Sequence, residues 1–399
     1  DYLKDFRFKG DIYAVPEGTV VFPGEPLLRF HGTTTEAMLL ETGLSMIMNH
    51  ESLIATKARR VRTVAPKDAL MEFGLRRAQG HSAGLWGARA AMIGGFNGTS
   101  NVEAGKQFGI PVLGTMAHSW VMSFDEEIDA FREYVRQYHD NLILLADTYN
   151  VLEMGVPHAI QVFKELKEEG RLPGKYGIRI DSGDIAYLSQ EATRMFTEAG
   201  FPDAIISGSN DLDEYTIQSL KAQGCTVTSW GVGTKIITAD GTSALGGVFK
   251  MAVKEADGKE VPVMKFSNDV EKMTNPGIKT VYRFYKKDTG KMITDLVCLH
   301  DEKAADGGDF TLVTESAKWR RKELKAGTYT VEKLLRPVVE NGRNLPLPAL
   351  PEIIRYADKQ MDTLWPEYTR LLNPDLMEIN LSDKLQTLKS ELIRRELGE

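Results

Sequence analysis

The sequence predicts an α/β protein whose centre is a (β/α) barrel. From about residue 90 to residue 240, short apolar runs alternate with amphipathic helices, a pattern typical of parallel βα units. A polar or glycine-rich stretch follows each of five successive runs, as in barrels whose active site lies at the carboxyl ends of the strands. An open doubly wound sheet would also place a site there and is the alternative fold. β-like segments on either side predict a discontinuous, mostly β domain, and a helical segment is predicted at the C-terminal end.

The first elements are predicted before the barrel. Apolar runs at Asp11–Val15, Thr19–Phe22 and Leu27–Phe30 are separated by proline and glycine turn residues, which indicates short strands. Apolar residues at helical spacing then predict a long helix over about 34–60, with Thr35 as its N-cap.

The barrel itself is predicted from the alternating pattern. The strands are Ile110–Leu113, Leu142–Ala146, Gly177–Ile180, Ala204–Ile206 and Thr226–Ser229. The helices are Glu126–His139, Pro157–Glu169, Ala186–Glu198 and Leu212–Gln223. In the first helix, one face carries four apolar residues and is predicted to be buried: Ile128, Phe131, Val135 and Tyr138.

After residue 245 the pattern becomes β-like again. The predicted strands are Val248–Val253, Val261–Phe266, Thr280–Tyr285 and Met292–Cys298, with a hairpin turn at Lys287–Gly290. We therefore predict three parts: a discontinuous β-rich domain of residues 1–33 and 245–350, a catalytic barrel of residues 34–244, and a helical segment of residues 351–399.

Composition excludes several classes of protein. The 399 residues include 49 basic and 56 acidic side chains, a net charge of −7 that disfavours a dedicated nucleic-acid binder. Cys225 and Cys298 are too few for a disulfide scaffold and lack metal-site spacing, so we expect a reducing, cytoplasmic setting. No apolar run approaches the ~18 residues that span a membrane. The chain begins at Asp1 without a signal-peptide pattern, and we expect its natural start to lie upstream.

One stretch reverses this charge balance. Residues 55–90 carry eight basic and two acidic side chains, or +6 in a chain of −7. Such a concentration predicts a site for a small polyanion, while a solvated helix face is the alternative interpretation. The basic residues are Lys57, Arg59, Arg60, Arg62, Lys67, Arg76, Arg77 and Arg89.

Several residues near strand ends have side chains suited to catalysis or binding. Arg76 offers donors for a phosphate or carboxylate, and Phe73 could stack on a flat ring or belong to the core. His118 follows a strand end rich in small residues, where a histidine acts as a base or nucleophile, or is purely structural. Arg179 and Asp181 share one face of a strand, and Asp184 is expected to cap the next helix.

Two glycine-rich strand ends complete the pattern. Ser207–Ser209 and Gly231–Thr234 would let backbone N–H groups approach a phosphate, which late barrel strands commonly bind. The alternative is that each is a tight turn. Together, these groups favour a phosphorylated sugar that reacts with a flat, negatively charged ring.

The chain resembles the nicotinate phosphoribosyltransferase family over nearly its whole length. The motifs that carry the resemblance are Glu72–Gly80, Gly94–Val102, Gly114–His118, Asp181–Asp184 and Lys265–Arg283. The resemblance implies an ATP-dependent, ligase-type enzyme of pyridine nucleotide salvage. It implies conversion of nicotinate and phosphoribosyl pyrophosphate to nicotinate mononucleotide and pyrophosphate, with Mg²⁺, in a homodimer.

The resemblance also implies roles for particular residues. ATP would transiently phosphorylate His118, Arg76 would bind pyrophosphate or phosphate, and Asp181 would contact the ribose. Phe73 would stack on the pyridine ring beside Arg179. Asp147 would serve the metal or pyrophosphate, and Lys250 would lie near a phosphate. The residues implied for the 5′-phosphate are Gly208, Ser209, Gly231 and Gly233.

Family members carry an additional N-terminal segment with an Asp-Leu-Tyr-Gln motif, whose tyrosine is thought to sandwich the pyridine ring, and this sequence does not contain it. Ser100 occupies the position of the amide-reading aspartate of the nicotinamide-specific relative, which favours the acid as substrate. The nicotinamide-specific enzyme is nevertheless the nearest competing interpretation. More distant ones are the quinolinate enzyme, a non-catalytic phosphate or nucleotide sensor, and a polyanion-binding module.

Overall fold

The computed structural model describes residues 2–138, 140–267, 273–303, 307–313 and 321–398. Residues 268–272 of the motif Lys265–Arg283, and the last residue of the predicted helix Glu126–His139, lie outside this part. The described chain forms two compact units, Asp1–Met48 with Gly246–Glu399, and Asn49–Leu245. No helix in the described part is long and apolar enough to cross a bilayer.

The helices are α1 Tyr2–Asp5, α2 Thr34–Val64, α3 His81–Ile93, α4 Val102–Phe108, α5 His118–Val121, α6 Glu127–Gln137, α7 Val156–Glu168, α8 Ile185–Glu198, α9 Glu214–Ala222, α10 Thr234–Ile237, α11 Leu350–Thr363 and α12 Asp383–Leu397. The strands are β1 Asp11–Ala14, β2 Leu28–His31, β3 Ala69–Glu72, β4 Gly98–Thr99, β5 Leu142–Leu145, β6 Tyr176–Ile180, β7 Ile205–Ser209, β8 Ser229–Val232, β9 Val253–Ala256, β10 Lys259–Pro262, β11 Lys279–Lys286, β12 Met292–Leu299, β13 Phe310–Val313, β14 Arg321–Leu324, β15 Tyr329–Lys333, β16 Arg336–Glu340, β17 Arg343–Asn344 and β18 Ile379–Leu381.

The unit Asn49–Leu245 is built on a curled parallel sheet of six strands. Its strand order is β4-β3-β8-β7-β6-β5, and every pairing is parallel. The strands are apolar because helices cover them; Ile178, Ile180 and Trp230, for example, are fully buried. The prediction of parallel βα units is therefore confirmed.

The predicted strand Ile110–Leu113 differs from the others. Within the described residues it makes a single parallel bridge, between Val112 and Thr99. Pro111 has no N–H to donate, and the chain enters α5 soon afterwards, so the ladder does not extend. No pairing among the described strands joins β5 to β4, and the sheet is accordingly a half-barrel by its hydrogen bonds.

Other elements depart from the predictions in specific ways. The last predicted strand of the barrel begins later, at Ser229, and β3 and β4 were not expected. Thr19–Phe22 forms no strand. The proposed cap Thr35 is wrong, because Thr33 caps α2: its hydroxyl accepts from the N–H of Glu36, and the Glu36 carboxylate accepts from the N–H of Thr33.

The face of α6 that lies against the protein also differs in part from the prediction. Phe131 and Val135 are buried as expected, but Tyr138 lies beyond the last turn and is 56% exposed. Glu127 and Tyr134 instead belong to the buried face. A charged residue in the first turn would ordinarily be placed in solvent, which is why the pattern did not reveal it.

The other unit contains antiparallel sheets and the helical C-terminal segment. The N-terminal strand β1 lies between β16 and β2, and the hairpin β11–β12 lies between β15 and β18. The hairpin confirms the predicted turn at Lys287–Gly290, and β18 joins β12 as a parallel edge strand. Helices α11 and α12 lie in the C-terminal segment, one before and one after β18.

Candidate active site

The carboxyl ends of the parallel strands bring the predicted polar residues together. Asp181 follows β6, Ser209 ends β7, and Gly231 lies in β8. Because parallel strands end at one edge of a sheet, residues distant in sequence meet there. Shared neighbours connect His118, Arg179 and Gly231 at this edge.

His118 begins the short helix α5 and faces two carboxylates. Its Nδ1 lies 3.2 Å from the hydroxyl oxygen of Thr148. Its Nε2 lies 4.0 Å from Oδ1 of Asp147 and 3.7 Å from Oδ2 of Asp181. The imidazole is 39% exposed, so it remains accessible to a ligand although two carboxylates lie within 4.0 Å of its Nε2.

Asp147 is the buried member of this group. Its Oδ2 accepts hydrogen bonds from the N–H of Asp181, at 3.0 Å, and from the hydroxyl of Ser182, at 2.6 Å. Its Oδ1 is buried and has no hydrogen-bond partner among the described residues. A buried carboxylate oxygen without a donor is costly, so this oxygen is a candidate acceptor for water, a ligand or an ion.

Arg179 lies on β6 beside these acids. Its Nη1 donates to the hydroxyl of Thr115 at 2.5 Å, and its Nη2 lies 4.0 Å from Oδ2 of Asp181. Burial lowers the pKa of Arg179, although the charges of Asp181 and Asp147 oppose that effect. Its Nε is buried and has no acceptor within the described part of the chain.

Asp181 connects the acids to the glycine-rich strand ends. The Ser209 hydroxyl donates to its Oδ1. A Cβ added at Gly231 would lie 3.3 Å from the Cβ of Ser209 and 2.7 Å from Cδ2 of Phe73. Glycine is therefore required here, because any side chain would push against the phenylalanine ring.

Phe73 is held at the end of β3. Its N–H donates to the carbonyl of Val232, at 2.8 Å. A Cβ at Gly233 would meet the Phe73 carbonyl oxygen at 3.0 Å and Nη1 of Arg77 at 3.8 Å. Gly208 is also buried, but its missing side chain would face Val227 and Trp230.

A buried acid supports the same strand end. The hydroxyl of Thr99 donates to Glu72 at 2.6 Å, and the N–H of Gly74 donates to the same carboxyl group. Burial raises the pKa of Glu72 although both bonds oppose the shift. The N–H of Ser100 donates to the Glu72 carbonyl at 3.0 Å, so Ser100 lies at the end of β3 as well.

The basic stretch proves to be largely internal to the fold. Lys57 and Arg60 bind the buried carboxylate of Glu214, each at 2.8 Å. Arg59 donates to the carbonyl of Ile93, and Arg62 donates to several backbone carbonyls and to Asn97. The interpretation of the whole stretch as a polyanion site is therefore wrong for these four cations.

Two of the remaining cations stay candidates. Arg76 and Arg77 are exposed, and their side chains have no hydrogen-bond partner among the described residues. Arg77 is the one that approaches Gly233. Lys250 belongs to the other unit, where it is exposed and donates to the carbonyl of Phe249. Its role near a phosphate stays a prediction.

Sequence reasoning missed several residues that contact the predicted ones. Thr115, Thr148 and Ser182 each bond a predicted site residue, and each lies within three residues of one in the sequence. That proximity was the available signal. The buried Glu127 and its half-buried partner His158, bonded at 2.8 Å, had no such signal, because they are far apart in the chain.

Comparison with known proteins gives the same family. The nicotinate phosphoribosyltransferase family model matches residues 69–304, and its N-terminal and C-terminal domain models match residues 1–49 and 278–389. This chain belongs to the nicotinate phosphoribosyltransferase family. The nicotinate phosphoribosyltransferase of Bacillus subtilis is 41% identical over 96% of this chain and 77% of its own length.

Solved structures agree with this family. The crystal structure of human nicotinic acid phosphoribosyltransferase superimposes with a TM-score of 0.84 at 30% identity, covering 98% of this chain and 84% of the human chain. Nicotinate-nucleotide pyrophosphorylase from Pyrococcus furiosus gives a TM-score of 0.69 at 24% identity, covering 89% of this chain and 81% of its own, which shows a shared fold.

Proposed function

We propose that this member of the nicotinate phosphoribosyltransferase family transfers the phosphoribosyl group of phosphoribosyl pyrophosphate to the ring nitrogen of nicotinate. The products are nicotinate mononucleotide and pyrophosphate, and ATP hydrolysis drives the reaction. The observation that carries the proposal is that Phe73, Gly231, Ser209, Asp181, Arg179 and His118 are successive neighbours at one end of the parallel sheet.

Different members of this set suit different parts of the reactants. The half-buried ring of Phe73 offers a flat surface for the pyridine. The unused donors of Arg179 suit its carboxylate. The 5′-phosphate is assigned to the backbone of Gly233, which is half-buried, and of Gly231, which is buried beside the Phe73 ring; neither residue has a side chain that would keep a phosphate away.

Asp181 is the group placed to assist bond cleavage. Loss of pyrophosphate from C1 of the ribose develops positive charge on the sugar, as in glycosyl transfer generally. A carboxylate fixed by Ser209 stabilises that charge without having to move. Arg76 and Arg77, whose side chains have no partner in the described part of the chain, are available to the departing pyrophosphate.

His118 is the proposed acceptor of the ATP phosphoryl group. Asp147 and Asp181 approach one ring nitrogen, and Thr148 approaches the other. The acids stabilise positive charge on the ring, which favours an N-phosphorylated imidazole. Hydrolysis of that phosphoryl group would couple ATP to the affinity for phosphoribosyl pyrophosphate.

The residues fit Mg²⁺ carried with a substrate pyrophosphate. Mg²⁺ is commonly held by one or two carboxylates together with phosphate oxygens and water. Asp147 has an unpartnered buried oxygen for this purpose, and Asp181 lies beside it. Bound there, the cation would neutralise charge on the leaving pyrophosphate.

Three features complete the proposal. We propose that the half-barrel belongs to a (β/α) barrel, that the chain works as a homodimer, and that it acts in the cytoplasm. The high TM-score to the human enzyme supports the first, and family membership supports the second. The cysteine count supports the third.

The direct test is an assay of product. The purified protein is incubated with nicotinate, phosphoribosyl pyrophosphate, Mg²⁺ and ATP, and nicotinate mononucleotide is measured by chromatography. We expect product with nicotinate and much less with nicotinamide. Failure to form either mononucleotide would reject the function, while a preference for nicotinamide would favour the amide-specific relative.

The role of His118 has its own test. We expect His118→Ala to abolish the dependence of turnover on ATP and to leave a slower, ATP-independent reaction. Measuring ADP and mononucleotide in parallel gives the ratio of the two. Unchanged ATP hydrolysis in the variant would show that another group accepts the phosphoryl group.

A further inference from the structure

One edge of the Arg179 guanidinium group has an acceptor, and the other edge has none among the described residues. The occupied edge is Nη1, which donates to the hydroxyl oxygen of Thr115 at 2.5 Å. On the other edge, Nε is buried without an acceptor among the described residues, and the Asp181 oxygen near Nη2 is 4.0 Å away. In a guanidinium group, Nε–H and one Nη2–H point in parallel, as a two-pronged donor for a planar carboxylate.

Thr115 is suited to keep the guanidinium in this orientation. It is half-buried in the segment Gly114–His118, and its branched side chain has few rotamers. Its hydroxyl hydrogen points toward the carbonyl of Met116, at an oxygen-to-oxygen distance of 3.4 Å, which leaves the hydroxyl oxygen free to accept from Arg179. The hydroxyl thus binds one side of the guanidinium group, while the buried Nε on the other side keeps no acceptor among the described residues.

We propose that Thr115 is a positioning residue that selects the acid over the amide, because it turns the Nε–Nη2 edge of Arg179 toward the pyridine substituent. This inference rests on the proposed function. A carboxylate offers two acceptors to the two donors. A carboxamide offers one acceptor and one NH₂ group, and the NH₂ group would oppose an N–H and leave a buried donor unpaired.

The same geometry predicts which kinetic constant changes. Arg179 contacts the carboxylate equally in the bound substrate and in the transition state, since the carboxylate does not react. Loss of its orientation therefore raises KM for nicotinate and leaves kcat nearly unchanged. A general structural defect in the site would lower kcat, because Asp181 lies near this arginine and His118 lies beside Asp181.

The experiment compares two substitutions of Thr115 in the full chain. Thr115→Val keeps the shape and removes the hydroxyl, and Thr115→Ser keeps the hydroxyl and removes a methyl group. We expect Thr115→Val to raise KM for nicotinate about tenfold, as the loss of one hydrogen bond to a charged group predicts. The preference for nicotinate over nicotinamide should fall by a similar factor, and Thr115→Ser should stay within about twofold of the wild type.

The outcomes separate the inference from the function on which it rests. If wild-type protein forms no mononucleotide, the function itself fails. If wild-type protein is active and Thr115→Val retains both its KM and its preference for nicotinate, Thr115 does not orient Arg179 for the acid. A fall in kcat alone, or an equal loss in Thr115→Ser, would also overturn the inference.

Discussion

Two arginines, one fully buried and one largely buried, show how differently the same side chain is used in the two units. Arg283, on β11, is fully buried, and both Nε and Nη2 donate to the carboxylate of Asp295, at 2.8 and 2.6 Å. Its Nη1 donates to Gln360 at 2.9 Å. Arg179 has one good acceptor, Thr115, and a buried Nε without any among the described residues.

The pKa directions reflect this difference. Burial lowers the pKa of an arginine, and for Arg179 that effect prevails over the nearby acids. Burial also acts to lower the pKa of Arg283, but the hydrogen bonds to Asp295 and the negative charge of Asp295 outweigh it, and the pKa of Arg283 is raised. A completed ion pair stabilises the unit in which it lies, whereas an incomplete one keeps donors for a ligand.

The largest expected effect on stability is at the completed pair. Arg283→Met should lower the free energy of unfolding by about 3–5 kcal/mol, because it leaves the Asp295 carboxylate buried without its cation. Urea unfolding followed by circular dichroism measures the change. A loss within the error of the measurement would mean that the pair contributes little to the stability of its unit.

The same substitution at the incomplete site should affect activity instead. We expect Arg179→Met to change the unfolding free energy little, since the lost hydrogen bond to Thr115 is offset by removal of a buried Nε donor that had no acceptor among the described residues. It should lower kcat/KM for nicotinate by about 100-fold, as loss of a two-pronged bond to a carboxylate predicts. Steady-state kinetics and urea unfolding of the variant together test this, and a stable, fully active variant would contradict it.

A third prediction concerns Glu25, a buried acid 3.9 Å from Nη2 of Arg283. Burial, followed by the proximity of Asp295, raises its pKa from 4.5 to about 10. Between these values the folded chain binds a proton that the unfolded chain has lost, so stability falls as pH rises. The slope from this one group is at most about 1.4 kcal/mol per pH unit.

Glu25→Gln tests this pH dependence because glutamine cannot ionise. We expect the variant to gain stability relative to wild type as pH rises from about 6 to about 9, where the wild-type carboxyl is progressively penalised. Urea unfolding of both proteins at each pH gives the difference. Parallel curves would show that Glu25 titrates normally and that the cluster around Arg283 is not closed to solvent.

The smallest expected effect separates two acids of one motif. Asp184 caps α8 by accepting from the N–H of Tyr187, at 3.1 Å, and it has no described contact with the site. Asp184→Ala should cost about 1 kcal/mol of stability, with kcat/KM within about twofold of the wild type, and Asp184→Asn should restore the cap. A large loss of activity in Asp184→Asn would place Asp184 in the chemistry beside Asp181.

The sequence predicted those features that depend on local pattern. Buried parallel strands appear in the sequence as apolar runs, and the polar residues at their carboxyl ends meet at one edge of the sheet. The pattern therefore predicted that Arg179, Asp181 and Ser209 lie near one another. The cap at Asp184 was also predictable, because a short polar side chain before an amphipathic helix is a common N-cap. The sequence did not distinguish Thr33 from Thr35 as the cap of α2, since both are threonines within one residue of its first residue, Thr34.

Features that depend on distant partners could not be read from the sequence. Lys57 and Arg60 looked like free charge until the fold placed Glu214 against them. Glu127 looked like a solvated first-turn residue until its partner His158 was known. The unpaired Nε of Arg179 is likewise visible only in three dimensions, because the sequence does not show that no acceptor among the described residues reaches it.

The central claim is that the unsatisfied groups at the end of the parallel sheet are where the pyridine and the ribose phosphate bind. A crystal structure with nicotinate mononucleotide bound tests it most directly. We predict the carboxylate within hydrogen-bond distance of Nε and Nη2 of Arg179, the ring against Phe73, and the phosphate beside Gly231 and Gly233. A mononucleotide bound elsewhere, with Nε of Arg179 still without an acceptor, would contradict this claim.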